Sequence, residues 1–379
     1  MQTASLRPYR PVRPGELLQE ELEARGWTQA DLAQILGRPV QAINEIIAGK
    51  KAITAETAVA LSRALDAPAE YWLKLDALYR LDLLHQRRPL PEEGITRRAR
   101  VYAAAPVKEL LKRRWLTVSD PQDPDQLERA VCKFLGTKSI GERPAVAFAA
   151  RRGRPDEPTS SSVAAWVCYA RVLAQHEKAG TFQQASLKDE VAALPRLSTQ
   201  RDGAARARRR LRELGIRFVV AEHLPKTRVD GAAFWLDDRA PVVALSLRYD
   251  RIDWFWFTLM HELAHVVSNH ARQEMRVDDA LVGRDAELAS NKTTEEATAD
   301  RLASDWLIPP DRFAAFIHDT KGYFYRERVL AFAEDIGVHP GIVVGRLQHD
   351  GHIPYTHFRN LLDRVTPELA EADRAGGTS

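Results

Sequence analysis

The sequence predicts a multidomain chain: an all-α N-terminal helix-turn-helix domain, a helical middle region and an α+β C-terminal domain built around a metal site. Three observations predict it. Short amphipathic helices with tight turns occupy residues 12–85, and helix-period stretches between polar loops fill 104–198. From 199 onward strands precede two helices, one of which carries His261, Glu262 and His265 in the run FTLMHELAHVVSNH. With 379 residues the chain has room for two or three domains and a sizeable core.

Composition excludes several classes. The formal net charge is +3 with 28% charged residues, so any DNA contact must be local. Cys132 and Cys168 sit in apolar helical surroundings without CxxC spacing. They read as small buried hydrophobes in a reducing compartment. The opening MQTASLRPYRPVRPG has no apolar signal core, and the run WFWFTLM is too short to span a membrane. A soluble cytoplasmic protein with no membrane partner is expected.

In the N-terminal domain (12–85), Leu17, Leu18 and Leu22 stripe a first helix that stops at Gly26. Thr28 opens TQADLAQILG, with Asp31 at the capping-box position and Gly37 as the stop. A turn at Arg38, Pro39 and Val40 leads into QAINEIIAGKK, where Ile43, Ile46 and Ile47 face inward and Gln41 and Asn44 outward. TAETAVALSRALD and PAEYWLKLDALYRLDLL add two further helices. This is a helix-turn-helix pattern. Gln41 and Asn44 suit adenine edges in the major groove, and Arg38, Lys50 and Lys51 suit phosphates. A plain helical bundle with solvated polar faces is the alternative.

Residues 86–103 read as a polar linker, and the middle region (104–198) as helices PVKELLKRR, DPDQLERAVCKFLG, SSSVAAWVCYARVLAQHEKA and SLKDEVAALPRL. Basic clusters at Arg97, Arg98 and Arg100, at Lys112, Arg113 and Arg114, and at Arg151, Arg152 and Arg154 read as solvated faces, with contact to the DNA backbone as the alternative.

The C-terminal domain (199–364) begins with an arginine-rich helix, GAARARRRLRELG. IRFVVAEHL follows as a strand, then GAAFWLD and PVVALSL as a hairpin around DDRA. Next come the HELAH helix, an acidic loop (271–292) and the EEATAD helix. That order is an α+β metalloprotease layout, in which an exposed edge strand beside the metal helix would receive an extended peptide. A disordered tail (365–379) is expected to close the chain.

His261 and His265 stand four apart, so on a helix both imidazoles leave one face. Two imidazoles so placed can grip zinc, and Glu262 can reach a water at the open position, whose pKa zinc lowers toward ~7. Phe255, Phe257, Leu259, Met260, Leu263, Val266 and Val267 mark the helix as buried, a poor setting for unpaired His and Glu. In TTEEATADRLASDWLIPP, Thr293 or Thr294 caps a second helix and Pro309 and Pro310 stop it. Glu296 is expected as the third ligand, with Asp300 on the same face accepting a hydrogen bond from a ligand histidine. Glu295 stays an alternative ligand. His270, five after His265, reads as a surface histidine. Tyr323, Tyr325 and His339 are candidate oxyanion stabilisers that the sequence does not rank.

The segments RPGELLQEEL, GWTQADLAQILG and INEIIAGKKAITAETAVALSRALDAPAEYWLKLDALYRLD, within 12–83, resemble the HigA antitoxins, a branch of the Xre/Cro helix-turn-helix repressors. The resemblance implies a homodimer on an inverted-repeat operator, with Gln41 and Asn44 in the recognition helix and room for a toxin partner. From about residue 104, VDGAAFWL, VVALSLRYDRIDWFWFTLMHELAHVVSNH, EEATADRLASDWLIPP and GVHPGIVVGRLQHDGHIPY resemble the ImmA/IrrE metallo-endopeptidases, in the branch fused behind a HigA-like domain. Position by position this implies zincin-like chemistry: His261, His265 and Glu296 as zinc ligands and Glu262 as catalytic base. One departure is ADRLA where that family usually reads ANxFA, which puts Asp300 in place of asparagine and keeps a polar group there.

The stretch ERVLAFAEDIGVHPGIVVGRLQHDG echoes the N-terminal helix-turn-helix. It reads as a helical pair closing the C-terminal domain, with a second nucleic-acid-binding unit as the alternative. The combined expectation is a transcriptional regulator, autoregulatory in the antitoxin manner, with a zinc endopeptidase that cleaves a regulatory protein. The competing expectation keeps the repressor and makes the zinc domain a binding or sensing module.

Overall fold

A computed structural model describes residues 12–87, 92–142, 144, 160–270, 276–279 and 293–369 of the chain. It divides into two compact units, Met1–Thr96 and Arg97–Ser379. Among the described residues, no helix is long and apolar enough to cross a membrane.

The first unit holds α1 (Pro14–Arg25), α2 (Gln29–Ile35), α3 (Val40–Ile47), α4 (Ala55–Leu65) and α5 (Ala69–Arg87). Leu18, Leu22, Leu32, Ile43, Ile46, Leu61 and Trp72 meet in one apolar core. Gly26 ends α1 at φ 68, a left-handed cap that glycine adopts without Cβ strain. The predicted capping box is formed: Asp31 N–H donates to the Thr28 hydroxyl at 3.1 Å, and Thr28 N–H donates to Asp31 Oδ2 at 2.7 Å. Short, well-capped α2 thereby leads through a tight turn into α3, which buries Ile43 and Ile46.

The second unit begins within a segment where a linker was expected. Residues 86–103 are helical from Glu92 on: α6 spans Glu92–Ala104 and is followed by α7 (Val107–Lys112) and α8 (Pro124–Leu135). Val101, 1% exposed, anchors α6 in the core. Arg97 reaches Asp125 at 2.6 Å and Glu128 at 2.8 Å on α8. Of the arginines that suggested a linker, Arg97 and Arg98 are half-buried on this helix and Arg100 is exposed.

The remaining elements are α9 (Ser161–His176), α10 (Leu187–Ala193), a 3₁₀ turn at Leu194–Thr199, α11 (Gly203–Glu213), β1 (Arg217–Val220), β2 (Val229–Trp235), β3 (Pro241–Leu245), α12 (Ile252–Val267), β4 (Arg276–Asp279), α13 (Thr294–Leu307), α14 (Pro310–Thr320), α15 (Arg326–Ile336) and α16 (Pro340–His349). The sheet order is β1-β3-β2-β4. β1 runs parallel to β3, while β2 is antiparallel to both β3 and β4. The predicted hairpin is therefore present. β4 is a correction, since 271–292 was read as an acidic loop; the rest of that segment, like Arg151, Arg152 and Arg154, lies outside the described residues.

Both faces of the sheet are buried. Phe218, Ala233, Val243 and Leu245 face α12, α13, α15 and α16. Val219, Ala232, Phe234, Val242 and Ala244 face α8 and α9. Trp166 on α9 adds a hydrogen bond, its Nε1 donating to the Ala221 carbonyl at 2.8 Å. A sheet covered on both sides explains the apolar runs 231–235 of β2 and Pro241–Leu245 of β3. It also corrects the division at 198/199: the middle helices share one core with the strands.

Two further expectations change. The tail after 364 is packed as far as it is described, with Val365 1% and Leu369 5% exposed. Asp250 Oδ1 accepts the Val365 and Thr366 N–H groups, each at 2.8 Å, which ties that segment to the loop before α12. Residues 370–379 lie outside the description. The echoing pair α15–α16 buries Val343, Val344 and Leu347 in the core with Leu259 and Leu263, so α16 is a closing element of this fold.

Candidate metal centre

α12 and α13 pack along each other and carry the site between them. α12 is apolar nearly all round, and His261, Glu262 and His265 are each fully buried within it. α13 starts where Thr293 caps it, the hydroxyl accepting the Glu296 N–H at 3.3 Å. The cap thus also fixes the backbone of the residue whose side chain reaches α12.

Three donor atoms converge. His261 Nε2 and His265 Nε2 stand 3.1 Å apart, and Glu296 Oε2 lies 3.3 Å from the first and 3.5 Å from the second. Donors bonded at about 2.0–2.1 Å in a tetrahedron are roughly 3.3–3.4 Å from each other. The triangle therefore has the size of one face of a tetrahedral metal site. Two imidazoles and a carboxylate are also a donor set that zinc accepts. Among the described residues, this is the one His/Cys/Asp/Glu group placed to hold a metal, and Glu295 is not part of it.

The surroundings suit that use. Burial alone would raise the Glu296 carboxyl, but hydrogen bonds from His261 and His265 outweigh it and hold the group well below the usual carboxylate range. Asp300 Oδ1 stands 3.0 Å from His261 Nδ1, the nitrogen facing away from the triangle. His270 was read as a surface residue, but it is half-buried with its Nδ1 3.4 Å from His265 Nδ1. The chain turns sharply after α12 at Asn269, φ 56, and brings the ring back.

Glu262 lies against β2, where Gly231 offers no side chain. Neither His270 nor Gly231 stood out in the sequence as part of this site, although a glycine inside the strand VDGAAFW is a recognised sign of close approach. The oxyanion candidates differ in setting. Tyr323 and Tyr325 are largely exposed. His339 caps α16, accepting the Gly341 N–H at 3.0 Å, and Gly341 abuts Ile252 at the far end of α12 from His265.

In the first unit, Gln41 and Asn44 emerge together from the exposed side of α3, opposite Ile43 and Ile46. Gln41 Nε2 donates to Glu45 Oε1 at 3.3 Å. Lys50 and Lys51 follow at the exposed exit of the helix, and Arg38, half-buried, precedes it.

Comparison with known proteins places these two sites in separate families. Residues 18–72 match the helix-turn-helix family, and residues 212–348 match the IrrE N-terminal-like domain of the metallopeptidase type. An HTH-type transcriptional regulator of Haemophilus influenzae is 40% identical over 81 residues, which is 21% of this chain and 76% of that protein. Virulence-associated protein I of Dichelobacter nodosus is 37% identical over 76 residues, 20% of this chain and 70% of its own. Among solved structures, the antitoxin HigA of Pseudomonas aeruginosa with the higBA promoter shares 32% identity, covering 21% of this chain and 86% of that one, with a TM-score of 0.20.

Proposed function

We propose that this chain, which belongs to the helix-turn-helix family of transcriptional regulators and carries an IrrE N-terminal-like metallopeptidase-type domain behind that reader, is an autoregulatory repressor and a zinc endopeptidase acting on a regulatory protein. The observation that carries the peptidase half is the donor triangle of His261, His265 and Glu296, with Glu262 beside it on α12. A bound zinc ion would supply Lewis acidity, lowering the pKa of water and polarising a peptide carbonyl. Glu262 takes a proton from the attacking water and delivers it to the departing amine. His261 and His265 would supply the two imidazole donors, with Asp300 and His270 at their outer nitrogens holding each ring in orientation.

For the reader half, Gln41 and Asn44 contact base edges while Arg38, Lys50 and Lys51 contact phosphates. An inverted-repeat operator calls for two copies. α5 supports such a homodimer, since it leaves Leu78, Leu81 and Leu84 more than half exposed. The protein would then act in the cytoplasm on a repressor or a toxin-linked protein, with a toxin as a further partner.

The test compares cells expressing wild type and Glu262→Gln by sequencing newly formed protein N-termini. Cleavage sites present only with wild type are expected; identical sets would remove the peptidase claim. The complete burial of His261, Glu262 and His265 favours one other reading, a closed zinc-holding module that senses or binds without cutting. It predicts tight zinc and intact operator binding with no wild-type-specific cleavage.

A further inference from the structure

Gly231 sits inside the sheet, paired with Leu245 of β3 on one side and Asp278 of β4 on the other. Glycine weakens a strand interior, so its presence there needs a cause. A left-handed backbone is not the cause, although the pairing of β2 with β4 is irregular between Val229 and Gly231. Its φ lies outside the left-handed region, so an L side chain could adopt the same conformation. The cause is the neighbour. A Cβ built on Gly231 would overlap Glu262 Oε1 and lie 2.9 Å from both Cγ and Cδ of that side chain.

Glu262 is fully buried, as are Leu259, Leu263 and Val266 on the same helix, and the close approach involves its Cγ and Cδ as well as the tip of the side chain. The next residues, Ala232 and Ala233, do carry a Cβ, so small side chains are tolerated in this strand where Glu262 is not opposite.

We propose that Gly231 is a positioning residue for Glu262: the bare backbone of β2 fixes where the carboxylate stands relative to the His261–His265–Glu296 triangle. The positioning itself is a steric statement about two residues. Its consequence for cleavage rests on the peptidase reading above.

The experiment is a double-mutant cycle on the full chain, loaded with zinc, that compares Gly231→Ala in the wild-type and Glu262→Ala backgrounds. The melting temperature should fall by about 2–4 °C in the wild-type background. In the Glu262→Ala background it should stay unchanged or rise, because alanine suits a strand better than glycine. Equal losses in both backgrounds would overturn the proposal, since the glycine would then serve the backbone alone. Should Gly231→Ala be insoluble, recovery of soluble protein in the double variant supports the proposal, and no recovery overturns it.

A second arm follows cleavage at a wild-type-specific site. Gly231→Ala should lose at least tenfold in kcat with zinc content and KM unchanged, and full-rate cleavage would count against positioning. If wild type cuts nothing, the peptidase reading falls, and the melting cycle still decides whether β2 places the carboxylate.

Discussion

His261 is held at both ring nitrogens by residues four apart on α13: Asp300 Oδ1 stands 3.0 Å from Nδ1, and Glu296 Oε2 stands 3.3 Å from Nε2. One helix thus supplies both carboxylates that flank this imidazole, Glu296 as the proposed metal donor and Asp300 at the outer nitrogen. Asp300→Ala is expected to weaken zinc binding about 10–100-fold without unfolding the chain. Competition with a chromogenic chelator measures this directly. An unchanged zinc affinity would show that Asp300 does not orient the ring.

The paired amides of α3 carry the prediction for DNA. Gln41→Ala with Asn44→Ala should abolish preference for the chain's own upstream DNA and leave non-specific binding, because neither side chain is in the core. Lys50→Ala with Lys51→Ala should instead weaken binding to all sequences. The slope of log K against log salt should shrink by about 0.9 for each phosphate that is no longer neutralised. Fluorescence anisotropy across a salt series separates the two, and retained sequence preference in the amide variant would move the reading surface elsewhere.

The hydrogen bond from Trp166 to the Ala221 carbonyl ties a middle helix to the end of β1. Trp166→Phe keeps the aromatic bulk and leaves that buried carbonyl without its donor, at a cost of about 1–3 kcal/mol. Urea unfolding followed by fluorescence should show one transition for helices and strands together, shifted to lower denaturant. Splitting of the second unit's own transition, apart from any transition of the first unit, would mean that the middle region folds by itself.

Asp250 provides a pH dependence. Burial would raise its carboxyl, but the Thr366 N–H, the Arg364 guanidinium and the Val365 N–H together bring it below the usual carboxylate value. A group depressed in the folded state stabilises above its unfolded pKa and loses that contribution as pH falls through the folded value. Asp250→Asn should therefore destabilise at pH 7, and the gap from wild type should narrow as the medium is acidified below about pH 4. A gap that stays constant with pH would rule out the carboxylate as its source.

Local signals were legible in the sequence, and long-range ones were not. The four-residue spacings of His261 and His265 and of Glu296 and Asp300, the Thr28–Asp31 box and the β2–β3 turn all lie within a few residues. α6 escaped notice because Arg97, Arg98 and Arg100 dominate its composition, while burial depends on a few positions such as Val101. β4 owes its strand conformation to pairing along the edge of β2, and nothing in RVDD announces that partner. The approach of Gly231 to Glu262 joins positions that no local pattern connects, and His270 returns to His265 only through the left-handed turn at Asn269.

The double covering of the sheet decides what can be cut out of this protein. A fragment trimmed to residues 212–348, the stretch that matches the IrrE N-terminal-like domain, would strip α8 and α9 from one side of the strands and α10 and most of α11 from the other. Val219, Phe234 and Val242 would become a sticky outer wall, and such a fragment should precipitate or pair face to face with itself. The smallest piece worth excising therefore starts ahead of Val101 and keeps Leu369, far beyond the limits that sequence likeness would suggest.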